Sequence, residues 1–415
     1  MRKQLLFLES NSTGTGMKAI RTASEWGFLP VLLTNDPLRY RDLDIQICEV
    51  VTCDTNDYET VSHIVEARHD AGELAGLLTT SDFYLEPVAQ LAAQFGFPGS
   101  SPGAIRACRN KWLTRQKLRE IGIPQPAFVA VHSPAEVISA VRAVGLPCVV
   151  KPIDDSGSNE VRLCRTLEEA ERQAARVFGA TFNVRGQLAS RTALIEQFID
   201  APEYSVEMFA WQGELHCIGI TEKQTMGDPF FVESAHLFPA PLSESKAVEI
   251  RATVRRALRH IGVIHGATHT EVKWTKEGCV LIEVNPRLAG GMIPEIIKLA
   301  SGIDLIEAQL QAALGMAPEL SPRRYGYGSI GFIMAEEDGR LLASGGVEDA
   351  ACVQGVSQLV MHAKPGQPIR KPQNAYDRLG YIIAEGATPG KVSSSVQAAV
   401  SKIKLEIEQL EGVSR

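Results

Sequence analysis

None of the eight cysteines between Cys48 and Cys352 falls into a Cys-x-x-Cys pair or a Cys/His cluster. That usage excludes a disulfide framework and a structural zinc site, and it is the usage of a reduced, cytoplasmic protein. No apolar run approaches the roughly 20 residues needed to cross a bilayer. The chain opens basic at Arg2 and Lys3, but the apolar run behind them is too short for a signal peptide and reads as a first buried strand. Positive charge is in deficit: 42 Lys and Arg stand against 49 Asp and Glu, a formal net charge of −7. That balance argues against nucleic acid or an anionic membrane as the main partner. No internal repeat, low-complexity tract or Ser/His/Asp nucleophile pattern is present. Gly14 and Gly16 form a Gly-x-Gly pair after the first strand. The third glycine of a dinucleotide-binding turn is missing, and no acid in a clear ribose-binding context follows the next strand.

What is present is a chain of 415 residues, 45% hydrophobic, long enough for two to four domains with ample core. Strand 4–8, a polar turn, helix 17–26 and strand 30–33 make a Rossmann-like βαβ unit. A strand at 76–80 and a helix at 84–95 follow, and the Gly/Pro/Ser cluster at 96–103 marks a boundary, so a first domain spans 1–104. The second region, 105–320, opens with one helix over 104–121. It continues with helix 134–144, strand 148–152, a small-residue loop at 153–161 and a charged amphipathic helix at 167–178. Strands at 193–199 and 203–209, a loop at 230–236 and a helix at 245–262 lead to a hairpin around Lys276-Glu277-Gly278. From 321 to 415 short strands at 329–335, 356–361 and 381–384, with a helix over 392–410, indicate a small α+β domain.

The hairpin at 267–285 carries the strongest chemical signal. Pairing its strands around the turn brings Glu271 near Glu283, with Asn285 on the same face as Glu283. Two carboxylates and an amide oxygen form a hard-oxygen set suited to Mg²⁺ bridging nucleotide phosphates, where an edge hairpin with solvated acids is the plainer alternative. Arg287 follows, and Gly290-Gly291 lets backbone approach a substrate with no Cβ in the way. Lys151 ends a buried apolar strand, a place where a lysine needs an anionic partner. The adjoining Ser156-Gly157-Ser158 loop offers N–H groups and hydroxyls that could close over phosphates. Glu196-Gln197-Phe198-Ile199 is a hinge that can offer backbone to an adenine edge, and Glu203 an acid for ribose hydroxyls.

In this order, Lys111, Lys151, the 156–158 loop, the 196–199 hinge, Glu203, then Glu271, Glu283, Asn285 and Arg287 resemble the ATP-grasp superfamily. The resemblance covers residues 105–320, and the flanking regions are similar to that superfamily's Rossmann-like preceding domain and small C-terminal domain. It implies an α/β and α+β protein: a Rossmann-like N-terminal domain, an ATP-grasp fold of two α+β subdomains with a mobile lid at about 115–190, and an α+β C-terminal domain. It implies ATP and Mg²⁺, with Mn²⁺ able to substitute. Lys111 and Lys151 would contact the phosphates and the adenine side, Glu196 to Ile199 the adenine, and Glu203 the ribose. Glu271, Glu283 and Asn285 would hold the metal, and Arg287 the carboxylate being phosphorylated. Within the superfamily, Glu233-Ser234-Ala235-His236 followed by Pro239 looks like the substrate loop of bacterial L-amino acid ligases. Glu233 would then meet a substrate ammonium and His236 the reacting end. Arg287, His236, Gly290 and Gly291 form the expected catalytic set, acting on small-molecule carboxylate and amine substrates in a homodimer. Lys223 and His269 lie near this site in sequence, and His269 reads equally as a packing residue. Rival readings are an ATP-grasp ligase or carboxylase acting on another acid, a non-catalytic ATP-binding module and, weakest, a nicotinamide-dependent dehydrogenase.

Overall fold

The computed structural model describes residues 2–12, 14–40 and 42–409. Thr13, in the glycine-containing turn, and Leu410, at the end of the expected last helix, lie outside the described residues. Among the described residues no helix is long and apolar enough to cross a membrane.

The N-terminal part comprises β1 (Gln4–Leu8), α1 (Thr15–Glu25), β2 (Leu29–Thr34), β3 (Glu49–Thr52), α2 (Tyr58–Asp70), β4 (Leu74–Leu78) and α3 (Leu85–Phe95). Its four strands pair in parallel in the order β3-β2-β1-β4. Both faces of β1 are covered, which is why its sequence is a continuous apolar run. Leu5 and Phe7 enter one core, Leu6 and Leu8 the other. Each such buried side chain contributes roughly 1.5–3 kcal/mol.

The helix expected over 104–121 is two helices, α4 (Pro102–Arg109) and α5 (Lys111–Glu120). Asn110 between them is extended, and its side chain accepts from Leu113 N to cap α5. An asparagine that satisfies an orphan N–H at a helix start ends the preceding helix as it does so. Lys111 is thereby the first residue of α5, its N–H bonded to Ile153 O.

The part expected to hold the lid comprises β5 (Phe128–Val131), α6 (Pro134–Val144), β6 (Cys148–Pro152), β7 (Arg162–Cys164), α7 (Leu167–Gly179) and β8 (Ala193–Gln197). Its strands run antiparallel in the order β5-β8-β6-β7. Cys148, Val150, Ala193 and Ile195 face α6 and α7 in a shared core. Period two then sends Val149, Lys151 and Glu196 to the other face.

Next come β9 (Glu203–Trp211), β10 (Glu214–Met226), β11 (Val232–Phe238), α8 (Glu244–Ile261), β12 (Gly266–Thr275), β13 (Gly278–Asn285), α9 (Ile293–Ser301) and α10 (Leu305–Ala313). The chain closes with β14 (Tyr327–Ile333), β15 (Gly339–Gly345), α11 (Val347–Ala351), β16 (Val356–Met361), β17 (Pro368–Ile369), β18 (Gly380–Gly386), α12 (Pro389–Val400) and β19 (Lys404–Glu408). One eight-stranded sheet, β13-β12-β9-β10-β11-β14-β18-β16, runs through both parts. The stretch expected as a loop at 230–236 is mostly β11, so Glu233 and His236 sit on a strand paired with β10 and β14. The last helix ends at Val400, and Lys404–Glu408 instead pairs with β15, half-burying alternate residues.

Candidate active site

A cavity of about 270 Å³ opens between the lid sheet and the eight-stranded sheet. Its lid wall contains Lys151, the 156–158 loop, Glu196, Gln197, Phe198 and Ile199. Lys151 Nζ lies 2.6 Å from Glu196 Oε2, and Arg115 Nε donates to Glu196 Oε1 at 2.6 Å. Arg115 also donates to Ile282 O at 2.6 Å, tying α5 to β13. Burial would raise the Glu196 pKa, but the Arg115 and Lys151 charges outweigh it and hold the carboxyl at about 2. The Glu196 side chain is therefore occupied by two cations, and what reaches the cavity beyond it is Gln197 and the stretch after β8. There Ile199 O accepts from Lys273 Nζ at 2.9 Å.

The loop after β6 is pinned by Lys111 and by Asp82. Lys111 Nζ donates to Asp155 O at 2.8 Å and pairs with Glu283 Oε1 at 3.1 Å. Ser156 Oγ donates to Asp82 Oδ2 at 2.8 Å. Gly157 has φ +73°, and a Cβ there would stand 3.3 Å from the Tyr376 hydroxyl. A second lid segment reaches the N-terminal sheet as well: Arg185 donates to Ser10 O at 2.9 Å and Gln187 to Phe83 O at 3.1 Å.

On the opposite wall, register decides which side chains meet. β12 runs between β9 and β13, placing Glu271 opposite Glu283, His269 opposite Asn285 and Glu207, and Lys273 opposite Glu203. Directly opposed residues share a face, so this set converges while Val206 and Met208 enter the core behind. Glu203, Glu233 and Glu271 offer oxygens within 4.8 Å of one another. Lys223 Nζ sits among them at 2.8, 2.7 and 2.7 Å. Burial alone would lower the Lys223 pKa, but the three carboxylates drive it well up. Glu271 Oε1 faces Lys223 and His269 Nε2, the latter at 3.4 Å. His269 Nδ1 lies 3.0 Å from Glu207, and the two acids overcome burial to raise the imidazole to about 9. His269 thus takes part in the acid network and is not a mere packing residue.

Arg287 is oriented from the N-terminal sheet. Its Nε donates to Asp82 Oδ1 at 2.7 Å, and Arg109 approaches the same oxygen at 3.3 Å. Burial would raise the Asp82 pKa, but the two guanidiniums push it well down. Gly290 and Gly291 continue the wall. Gly291 has φ +56°, and a Cβ there would come within 2.7 Å of His236 Nε2. His236 is buried behind that glycine, 3.5 Å from Glu233 Oε2, and burial keeps its pKa low despite that acid.

Every residue expected at the site except His236 lines this one cavity. Sequence reasoning assigned no role to Asp82, Arg115, Arg378 or Tyr376. Asp82 had a usable signal, because it follows the carboxyl end of a parallel strand, where open α/β sheets place ligands. Arg115 is one of many charges on α5, and nothing in its spacing singles it out.

A wall of paired acids facing cations, an arginine beside two glycines and a closed small-residue loop can neutralise phosphates, hold a carboxylate and exclude water. Residues 144–295 match the family described as ATP-grasp domain, and residues 331–408 that described as L-amino acid ligase C-terminal domain 2. The chain is 32% identical over 407 residues to y4rH of Sinorhizobium fredii, covering 98% of this chain and 84% of that one. It is 27% identical over 341 residues to human carnosine synthase 1, covering 77% of this chain but only 41% of that longer protein. The fold is shared with the crystal structure of L-amino acid ligase from Bacillus licheniformis, with TM-score 0.84, 22% identity and coverage of 98% and 99%.

Proposed function

The chain belongs to the ATP-grasp ligase family, and from that premise we propose that it joins the carboxylate of one amino acid, or amino-acid-like acid, to the amine of a second through an acyl phosphate. The observation that carries this reading is the convergence of Arg287, Gly290-Gly291 and the opposed Glu271 and Glu283 in a cavity that Lys111 and Lys151 also line. The relatives named carnosine synthase and L-amino acid ligase favour amino-acid substrates.

In this reading Lys111 and Lys151 lie along the phosphates, Phe198 and Ile199 flank the base, and Glu203 accepts ribose hydroxyls. Glu271, Glu283 and Asn285 fit Mg²⁺ by their all-oxygen donor set, and Glu271 fits it further because its contacts to Lys223 and His269 engage Oε1. The ion would offset phosphate charge during γ-phosphoryl transfer. Arg287, fixed by Asp82, holds the donor carboxylate, while Glu233 receives the donor ammonium. His236, expected at the reacting end, instead stands behind Gly291 and backs the cavity wall there. When the amine attacks, Arg287 and the backbone at Gly290-Gly291 face the developing oxyanion. The pinned 156–158 loop keeps water from the acyl phosphate.

The test is Mg²⁺-ATP consumption against paired amino acids, reading ADP release and product mass, with Glu283→Ala beside the wild type. ADP release that requires two amino acids, with a product mass equal to their sum less water and no turnover in the variant, supports the reading. Nucleotide binding without turnover on any pair sinks it and points to another acid or a binding module.

A further inference from the structure

Arg378 lies outside every element that forms the nucleotide side of the cavity, yet its side chain lines the cavity wall. It follows a short turn, Ala375–Asp377, whose Asn374 and Asp377 cap each other in both directions, so the backbone leading into it is fixed locally. Its guanidinium carbon stands 3.7 Å from the centre of the Phe332 ring on β14. From that platform a single nitrogen, Nη2, donates to the backbone carbonyl of Glu233 at 3.0 Å and to its carboxylate Oε2 at 2.9 Å.

This grip decides how Glu233 points. Oε1 is taken by Lys223 at 2.7 Å. Oε2 has Arg378, and His236 Nε2 stands 3.5 Å from it. Holding the carbonyl and the carboxylate of one residue through one planar group restricts its side-chain rotation, which a point-charge ammonium could not do. Stacking on Phe332 restricts the guanidinium in turn.

We propose that Arg378 is a positioning residue that sets Glu233 in the orientation receiving the ammonium of the acyl donor, making the C-terminal part of the chain a determinant of donor choice. This role rests on the ligase reading above. Because Glu233 already faces Lys223 and Arg378, its attraction for a further cation is partly offset. The donor ammonium is then selected by geometry, and loss of that geometry falls on recognition of the amino group.

The experiment compares each accepted L-amino acid donor with its des-amino acid (propionate for alanine, hydrocinnamate for phenylalanine, succinate for aspartate) in wild type, Arg378→Met and Arg378→Lys. Methionine keeps an unbranched stem against Phe332 and removes both hydrogen bonds. The expected result is a fall of about 10-fold or more in the kcat/KM ratio of amino to des-amino donor, the size of one lost charged hydrogen bond. The donor KM rises, while MgADP affinity and the KM of the amine substrate stay as in wild type. Arg378→Lys keeps the charge and restores less than half of the ratio. An unchanged ratio in folded Arg378→Met overturns the role. Should that variant not fold, Phe332→Leu, which removes the platform and leaves the charge, must lower the ratio, and an unchanged ratio there overturns the role equally. A wild-type protein that binds MgADP but turns over no amino-acid pair sinks the ligase reading and this role with it. Turnover with an unmoved ratio sinks the role alone.

Discussion

Glu196→Gln leaves Arg115 and Lys151 facing a neutral amide in a place almost out of reach of water. The carboxyl is held at about 2 against an ordinary value of 4.5, because the two cations outweigh the effect of burial. At 1.36 kcal/mol per pKa unit, that shift makes the ionised side chain worth about 3 kcal/mol to the folded state. Breaking a buried ion pair by removing one partner costs about 3–5 kcal/mol, an independent figure of the same size. With about 2.1 cal/mol/K of unfolding entropy per residue, this amounts to a fall of about 3–4 °C in Tm if the chain melts as one unit, and more if the lid melts alone. The sign in pH is fixed as well. A carboxyl depressed on folding contributes its full stabilisation above pH 4.5 and loses it as pH falls through about 2. Thermal unfolding of both proteins at pH 7, 5, 4 and 3 should therefore show a constant gap at the two higher values and a closing gap below. A variant within 1 °C of wild type at pH 7, or a gap that does not narrow in acid, refutes the reasoning.

Asp82→Asn removes the charge that orients Arg287 from the N-terminal sheet, and about a 10²-fold loss in kcat/KM is expected, with MgADP affinity by calorimetry within a few-fold of wild type. An equal loss in nucleotide affinity would show that Asp82 acts on the lid loop through Ser156 instead. Gly291→Ala places a Cβ against His236 Nε2 at a positive φ, so a loss of about 1–3 kcal/mol in urea unfolding should accompany reduced turnover. Wild-type stability in that variant would mean the backbone there yields freely.

Much of the fold was legible because its signals are local. The strand Cys148–Pro152 and the turn at Lys276-Glu277 announced themselves by apolar runs and turn residues, and both stand where the sequence put them. The break at Asn110 was hidden because capping competes with helix continuation, and periodicity alone does not weigh the two. β11 was hidden because Gly227-Asp228-Pro229 reads as loop and the strand beyond carries polar residues on a cavity face. Lys404–Glu408 does alternate, with Leu405 and Ile407 turned inward, but five charged and apolar residues behind a helix look like more helix. At the candidate site, most of the residues found by pattern lie on or just after the 267–285 hairpin or near a strand end. Those missed, Asp82, Arg115 and Arg378, act across the fold on partners far away in sequence, and no spacing encodes that.

The seam between β11 and β14 also bears on how such a chain could be recombined with its relatives. Ala235 pairs with Gly331 and His236 with Ile330, while Ser329 Oγ donates to His236 O at 2.8 Å. A crossover near residue 320 looks natural in sequence because it falls between helix and strand. It would set two unmatched strands edge to edge immediately behind Glu233, and deletion from there would leave a bare row of amides open to any passing strand. Grafting only the lid, between α5 and β9, cuts no sheet, since β5 to β8 pair solely with one another. Such a graft would have to carry over Arg185 and Gln187 together with the segments after β1 and β4 that receive them, which makes the lid and the N-terminal part the pair that must be inherited together.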